Sequence, residues 1–213
     1  MILDLHVHTD LSEDAKPTVV EYARWARELQ DQYSVHGFVV TEHRYYSFSR
    51  NPVLAELSRE TGLLILQGVE LETDYGHILV YGVNPQFLDR VDVTVRLRGK
   101  DVAAAALETG AVAIPAHPCR PMLGCGPAVK DLPGVRIIEA LNGANDRSEN
   151  HQAESLVKSL DLLGVGGSDA HFITDFGLCM THFDRNFSSE RDLVAELLLG
   201  DYRPVYLEGT RHT

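Results

Sequence analysis

Short apolar runs alternate with helix-like stretches from one end of the 213-residue chain to the other. No other feature constrains the fold as much. The strand-like runs are Ile2–His8, Gly37–Thr41, Leu63–Leu71, His77–Val83, Ala111–His117, Val135–Leu141 and Leu163–Ser168, with Leu178–Phe183 and Pro204–Leu207 in the tail. The first helix opens at Pro17 and repeats Val20, Ala23, Trp25, Ala26 and Leu29 near helical period. The others are Pro52–Thr61, Lys100–Thr109, Ser148–Leu160 and Ser189–Leu199; Gly62, Gly110 and Gly200 stop three of them. Strands that are apolar throughout belong to a parallel sheet covered on both faces. The pattern runs without a composition shift, repeat or linker, so residues 1–213 read as one domain. The expected architecture is α/β: a closed or nearly closed barrel of about seven strands.

The charge balance narrows the partners. With 31 acidic and 19 basic residues the net charge is −12, which repels phosphate backbones and disfavours a dedicated nucleic-acid binder. No run of 18 apolar residues spans a membrane. The opening MILDLHVHTD lacks the basic and apolar regions of a signal peptide. Three cysteines form an odd set with no framework, which points to a reducing cytoplasm. His117-x-Cys119 with Cys125 lacks the paired spacing of a zinc cluster.

The chemistry collects at the strand ends, where parallel α/β folds place their sites. In Asp4-Leu5-His6-Val7-His8-Thr9, alternation puts both imidazoles on one face. Thr41-Glu42-His43 follows the second strand, and Gly68-Val69-Glu70 ends the third. Gly76-His77 opens the fourth, and Ala116-His117-Pro118 ends the fifth. Glu139 and Asn142 lie on the sixth, and Gly167-Ser168-Asp169-Ala170-His171 ends the seventh. Each alone is usually a loop or core residue, and Glu139 reads as a partner for an arginine such as Arg136. Together they crowd imidazoles and carboxylates with no cation among them, an arrangement that calls for one. Such ligands suit zinc, manganese or iron rather than calcium.

DLHVHT, TEH, GVE, GH, AHP and GGSDAH, in this order, resemble the PHP (polymerase and histidinol phosphatase) superfamily of metal-dependent phosphoesterases. The resemblance covers nearly the whole chain, and the tail (about 176–213) resembles the short C-terminal segment of stand-alone members. It implies a distorted (β/α)7 barrel with two or three divalent metals (Zn, Mn or Fe) at its mouth. By motif, His6, His8, Glu70 and Asp169 would hold one metal. Glu70 would bridge to a second, completed by His77 and His117. Asp14, His43 and His171 would hold a third, with the adjacent Glu13 an alternative to Asp14. Glu42 stands where the family more often has Asp, and is expected behind the ligands. The resemblance further implies an EC 3.1 hydrolase in which a metal-activated hydroxide attacks phosphorus, with Glu70, Asp169 and His171 as catalytic residues.

A phosphoryl group also wants fixed positive charge. Arg44, Arg120 and Arg147, with Asn142, are the candidate substrate contacts; each arginine reads equally as a solvated surface residue. Arg44-Tyr45-Tyr46-Ser47-Phe48 is either a lid or a plain aromatic cluster, and Ser168 a turn residue. The leading expectation is a hydrolase of a small phosphomonoester, such as a nucleotide or sugar phosphate. A phosphodiesterase or exonuclease on nucleic-acid ends and a non-catalytic metal-binding module are the alternatives. His36, His151, His182 and His212 have no assigned role.

Overall fold

The computed structural model describes residues 1–207. His212 and the end of the C-terminal segment lie outside the described residues. In chain order the elements are β1 (Ile2–Val7), α1 (Val19–Tyr33), β2 (Val35–Val40), α2 (Asn51–Thr61), β3 (Leu64–Gln67), β4 (Val69–Thr73), β5 (Gly76–Tyr81), α3 (Pro85–Leu88), α4 (Gly99–Thr109), β6 (Val112–Pro115), β7 (Ile137–Asn142), α5 (Arg147–Leu160), β8 (Leu163–Gly167), β9 (Cys179–Phe183), α6 (Glu190–Leu199) and β10 (Tyr202–Tyr206). Every expected strand and helix is present within a few residues. The first helix starts two residues after Pro17 because Thr18 is its cap. Thr18 is extended, its hydroxyl accepts from the Glu21 N–H, and Glu21 returns the bond to the Thr18 N–H. Asp146 and Glu149 make the same reciprocal cap on α5.

The strands form an α/β fold of three sheets. One has the order β10-β9-β1-β2-β3, the second β4-β5-β6, the third β7-β8. Only β1-β2-β3 and β7-β8 are parallel ladders; β4-β5-β6 and β9-β10 are antiparallel, as is the β1-β9 pair. This corrects the expectation of a wholly parallel sheet. The turn at Asp74 between Thr73 and Gly76 is far too short for a parallel crossover, so it reverses the chain as a hairpin. The run Leu63–Leu71 is also broken into two strands at Gly68. There a Cβ would sit 2.9 Å from the Val80 carbonyl oxygen, so only glycine lets the chain leave β2 and cross to β5.

Bonds at the strand ends join the sheets edge to edge. The Glu70 N–H donates to the Glu42 carbonyl (3.1 Å), linking β4 to the end of β2. The His117 N–H donates to Glu139 Oε2 (2.7 Å), linking the end of β6 to β7. The Asp169 N–H donates to the His6 carbonyl (2.7 Å), and the His8 N–H to the Ala170 carbonyl (3.0 Å), linking the end of β8 to β1. Leu3, Leu5, Val39, Leu79, Ile114, Ile137 and Val165 from all three sheets pack into one buried cluster. Helices α1 and α2 cover β1-β2-β3 through Tyr22, Ala26, Leu54 and Leu57, and α4 covers β4-β5 through Val102, Ala103 and Ala106. The strand ends are thereby held over a packed core, converging on one mouth.

Candidate metal centre

At that mouth the nine side chains gather, and seven of them form three overlapping groups: His6, His8, Glu70 and Asp169; His43, Glu70 and His77; and His8, His43 and His171. His43 thus joins Glu70 (Nδ1 to Oε2, 3.0 Å) as well as His171, while His117 and Asp14 stand at the edge of these groups. His6, His8, Glu70 and Asp169 are all buried and offer ligand atoms within 4.8 Å of one another. His6 Nε2 lies 3.0 Å from His8 Nε2, and these lie 3.3 and 3.2 Å from Glu70 Oε2. The other Glu70 oxygen, Oε1, lies 3.0 Å from His77 Nδ1 and 3.3 Å from His117 Nε2. Asp14 Oδ2 lies 3.5 Å from His43 Nε2 and 3.4 Å from His171 Nε2. The rings of His43 and His171 stack on His8 at 4.2 and 4.4 Å between centroids. Glu13 lines the cleft beside them, while Asp14 makes the contact to both imidazoles. Arg44, His117 and Asp169 have positive φ (51°, 30° and 55°), so strained backbone gathers at this centre.

The hydrogen bonds behind the ring fix which nitrogen of each imidazole faces inward. Glu139 Oε1 takes the bond from His6 Nδ1 (2.9 Å), and the Asp169 carbonyl takes that from His171 Nδ1 (2.9 Å). Behind His8 stands Ser12. Its hydroxyl donates to Glu42 Oε2 (2.7 Å), so its oxygen is left to accept from His8 Nδ1 (3.3 Å). Glu42 is itself wholly buried and accepts from the Thr9 N–H, the Thr9 hydroxyl and Arg50. With Nδ1 the donor in each ring, Nε2 of His6, His8 and His171 presents a lone pair to the centre. Two such lone pairs 3.0 Å apart, beside a buried Glu70 Oε2 that receives no hydrogen bond, are a donor set without an acceptor. A divalent cation supplies one, and imidazole nitrogens with carboxylate oxygens suit Zn, Mn or Fe.

The electrostatics agree. Burial would raise the Glu70 carboxyl, but the imidazoles of His6, His117 and His43 outweigh it and hold it well below the carboxylate range. Asp169 is likewise held low against burial by His6 and His8. Burial pulls His6 and His8 down, yet neighbouring carboxylates win. His6 is lifted well above its ordinary value by Asp169, Glu139 and Glu70, and His8 is lifted to about 9 by Asp169 and Glu70. His171 is lowered, first by burial and then by His8. In the absence of a metal, protons are the positive charge the cluster gathers.

Several expectations about the surroundings change. Arg120 is engaged by the residues around the centre. Its Nη1 donates to Asp169 Oδ2 (2.9 Å), Nη2 to Asn142 Oδ1 (2.8 Å) and Nε to Asn145 Oδ1 (2.9 Å), so it holds the outer oxygen of a metal-facing carboxylate. Asn142 is fully buried, its amide spent on Glu139, Asp169, Arg120 and the Ala144 N–H. Arg147 sits exposed on the first turn of α5, after the Asp146 cap, and among the described residues it makes no bond to the centre. Arg44 does line the cleft beside the centre, with its Nε 3.3 Å from Glu72. That cleft, about 460 Å³, is walled by Leu11, Glu13, Asp14, His43, Glu72, His77 and Thr94 besides.

Sequence reasoning missed Ser12, Glu72 and Asp4, and left Glu139 undecided. Glu139 is a partner of His6, not of Arg136. Asp4 is buried and receives the N–H groups of His6, Ser168 and Gly177. Its period-two spacing from His6 was a usable signal, as was that of Glu72 from Glu70. Ser12 carried none.

Residues 147–202 match the family described as PHP-associated. No curated protein matches the sequence. The fold is shared with PsfC from Pseudomonas syringae, at TM-score 0.74 and 20% identity over 98% of this chain and 92% of that one. A candidate metal-dependent phosphoesterase from Bifidobacterium adolescentis aligns at TM-score 0.61 and 18% identity, over 80% of this chain and 87% of that one. The lesion-specific endonuclease EndoQ from Pyrococcus furiosus aligns at TM-score 0.64 and 17% identity, over 95% of this chain and 57% of that one.

Proposed function

We propose that the chain is a PHP-superfamily member, a metal-dependent phosphoesterase that hydrolyses a small phosphomonoester; the PHP-associated match over residues 147–202 supports the family. The observation that carries this reading is the convergence of His6 Nε2, His8 Nε2 and Glu70 Oε2 on one point, where a divalent cation can take the place of protons. The residue set suits two or three divalent ions. His6, His8, Glu70 and Asp169 would hold one, Glu70 with His77 and His117 a second, and Asp14, His43 and His171 a third. Bound there, such ions supply a nucleophilic water near neutral pH and neutralise charge on the phosphoryl oxygens.

The remaining work falls to the chain. Glu139, Ser12 with Glu42, and the Asp169 carbonyl keep three imidazoles in one tautomer. Arg120 steadies Asp169 so that its Oδ1 stays turned to the ligands. Arg44, left partly exposed in the cleft, is the fixed cation best placed to meet a phosphoryl oxygen. The strand ends joined around the centre fit a distorted (β/α)7 barrel whose arcs are the three sheets. An odd count of three cysteines fits a cytoplasmic setting, and among the described residues no helix is long and apolar enough to cross a membrane.

The test is phosphate release from a panel of phosphomonoesters by manganese-reloaded protein, with labelled oligonucleotides alongside. Release confined to monoesters is the expected result. Release only from oligonucleotides would replace the reading with an exonuclease, and silence with bound metal would leave a non-catalytic module.

A further inference from the structure

The cleft beside the centre is unevenly charged. Its carboxylates are Glu13, Asp14 and Glu72; its single cation is Arg44. Asp14 is taken up by His43 and His171, and Arg44 is held by Glu72 at 3.3 Å. Glu72 is two residues beyond Glu70 on β4 and directly opposite His77 in the β4–β5 ladder. It therefore stands next to the metal-facing row, on the wall of the cleft that opens from it. Leu11 and Thr94 complete the wall without adding charge. Positive charge is thus concentrated at the ligands once cations bind, and negative charge along the exit.

We propose that this cleft selects its substrate by charge: it takes esters with one phosphoryl group on a neutral or cationic leaving group, and Glu13 and Glu72 exclude leaving groups that carry a further anion. This rests on the phosphoesterase reading and narrows it. Nucleoside diphosphates and triphosphates and nucleic-acid ends, which bring a second phosphate next to the first, meet Glu13 and an Arg44 whose charge Glu72 already offsets. The net charge of −12 adds repulsion at longer range.

The test is equilibrium binding of three phosphonates to manganese-loaded protein by calorimetry: benzylphosphonate, 4-carboxybenzylphosphonate and 4-(aminomethyl)benzylphosphonate. One added charge a few ångströms from partly exposed carboxylates is worth about tenfold in affinity. The carboxylate should bind about tenfold more weakly than the neutral compound, and the amine more tightly. Glu72→Gln, which also frees Arg44, and Glu13→Gln should each shrink the gap, with metal content unchanged by mass spectrometry. Equal binding of carboxylate and neutral compounds overturns the proposal. So does a gap that survives in both variants, or no phosphonate binding at all. Hydrolysis of phenyl phosphate is measured in parallel. Its absence beside an ordered phosphonate series would sink the phosphoesterase reading and leave the charge selection standing.

Discussion

Ser12 shows how much of a metal centre can hang on a residue that touches no metal. Its hydroxyl is the one oxygen that tells His8 which nitrogen to protonate, and it is itself oriented by a buried carboxylate, Glu42. Ser12→Ala removes that instruction. We expect metal affinity to fall about 10- to 100-fold, the usual cost of losing such a partner, with little change in fold. A chelator-competition titration reads it directly, and Ser12→Thr, which keeps the hydroxyl, should restore most of the loss. Unchanged affinity in Ser12→Ala would remove Ser12 from any role in holding the ring. The same residue marks the limit of sequence reading. His6, His8, His43 and His171 were legible because imidazoles at strand ends are rare and paired spacing has geometric meaning. Ser12 lies in a loop, and nothing in its neighbours Leu11 and Glu13 says that its hydroxyl faces inward. Arg120 was legible as a cation near the site but not in its task, because its partners Asn142, Asn145 and Asp169 come from distant parts of the chain.

Among the elements, β8 is tightly constrained. A Cβ at Gly167 would meet the His6 Cβ at 2.5 Å and Glu139 Oε1 at 2.8 Å, so β8 can lie against β1 only without a side chain there. Gly167→Ala should destabilise the protein by about 1–3 kcal/mol, the range for overpacking, and weaken metal retention; denaturant unfolding and metal analysis report the two effects. A variant as stable as the parent would mean that β1 and β8 are not in this contact. The start of α6 carries a different strain. Burial pushes the Glu190 carboxyl from 4.5 up to about 7, against the pull of the Gly82 N–H that it accepts. A carboxyl raised on folding stays protonated in the native state while the unfolded chain ionises. Stability therefore declines as pH rises from about 4.5 to about 7 and is flat above. Glu190→Gln keeps an acceptor for Gly82 and cannot ionise. Its Tm should exceed the parent's by about 2–6 °C at pH 8 and match it at pH 4; equal melting at both would refute the burial argument. Element positions were legible in the sequence because capping pairs such as Thr18 with Glu21 and glycine stops are local. Strand direction was not read correctly, although the tight Thr73–Gly76 turn already ruled out a parallel crossover between β4 and β5.

For the whole molecule, the centre is an account of charge. In the metal-free protein the lifted imidazoles of His6 and His8 hold protons against Glu70 and Asp169. A divalent ion must displace those protons. With His6 and His8 both raised, metal affinity should climb with pH through the neutral range. Calorimetry at pH 7.5 in buffers of different ionisation enthalpy should show at least one proton released per protein; a heat independent of buffer would contradict the proton-filled cluster. The residues that share this charge come from opposite ends of the chain. His6 lies in the first strand and His8 just after it, Asp169 and His171 follow the eighth, and Asp4 bonds the Ser168 N–H across 164 residues. During synthesis seven of the nine side chains therefore emerge before the last two, Asp169 and His171. A ribosome that stalls before Ser168 leaves a nascent chain in which the groups that need those two residues stay open.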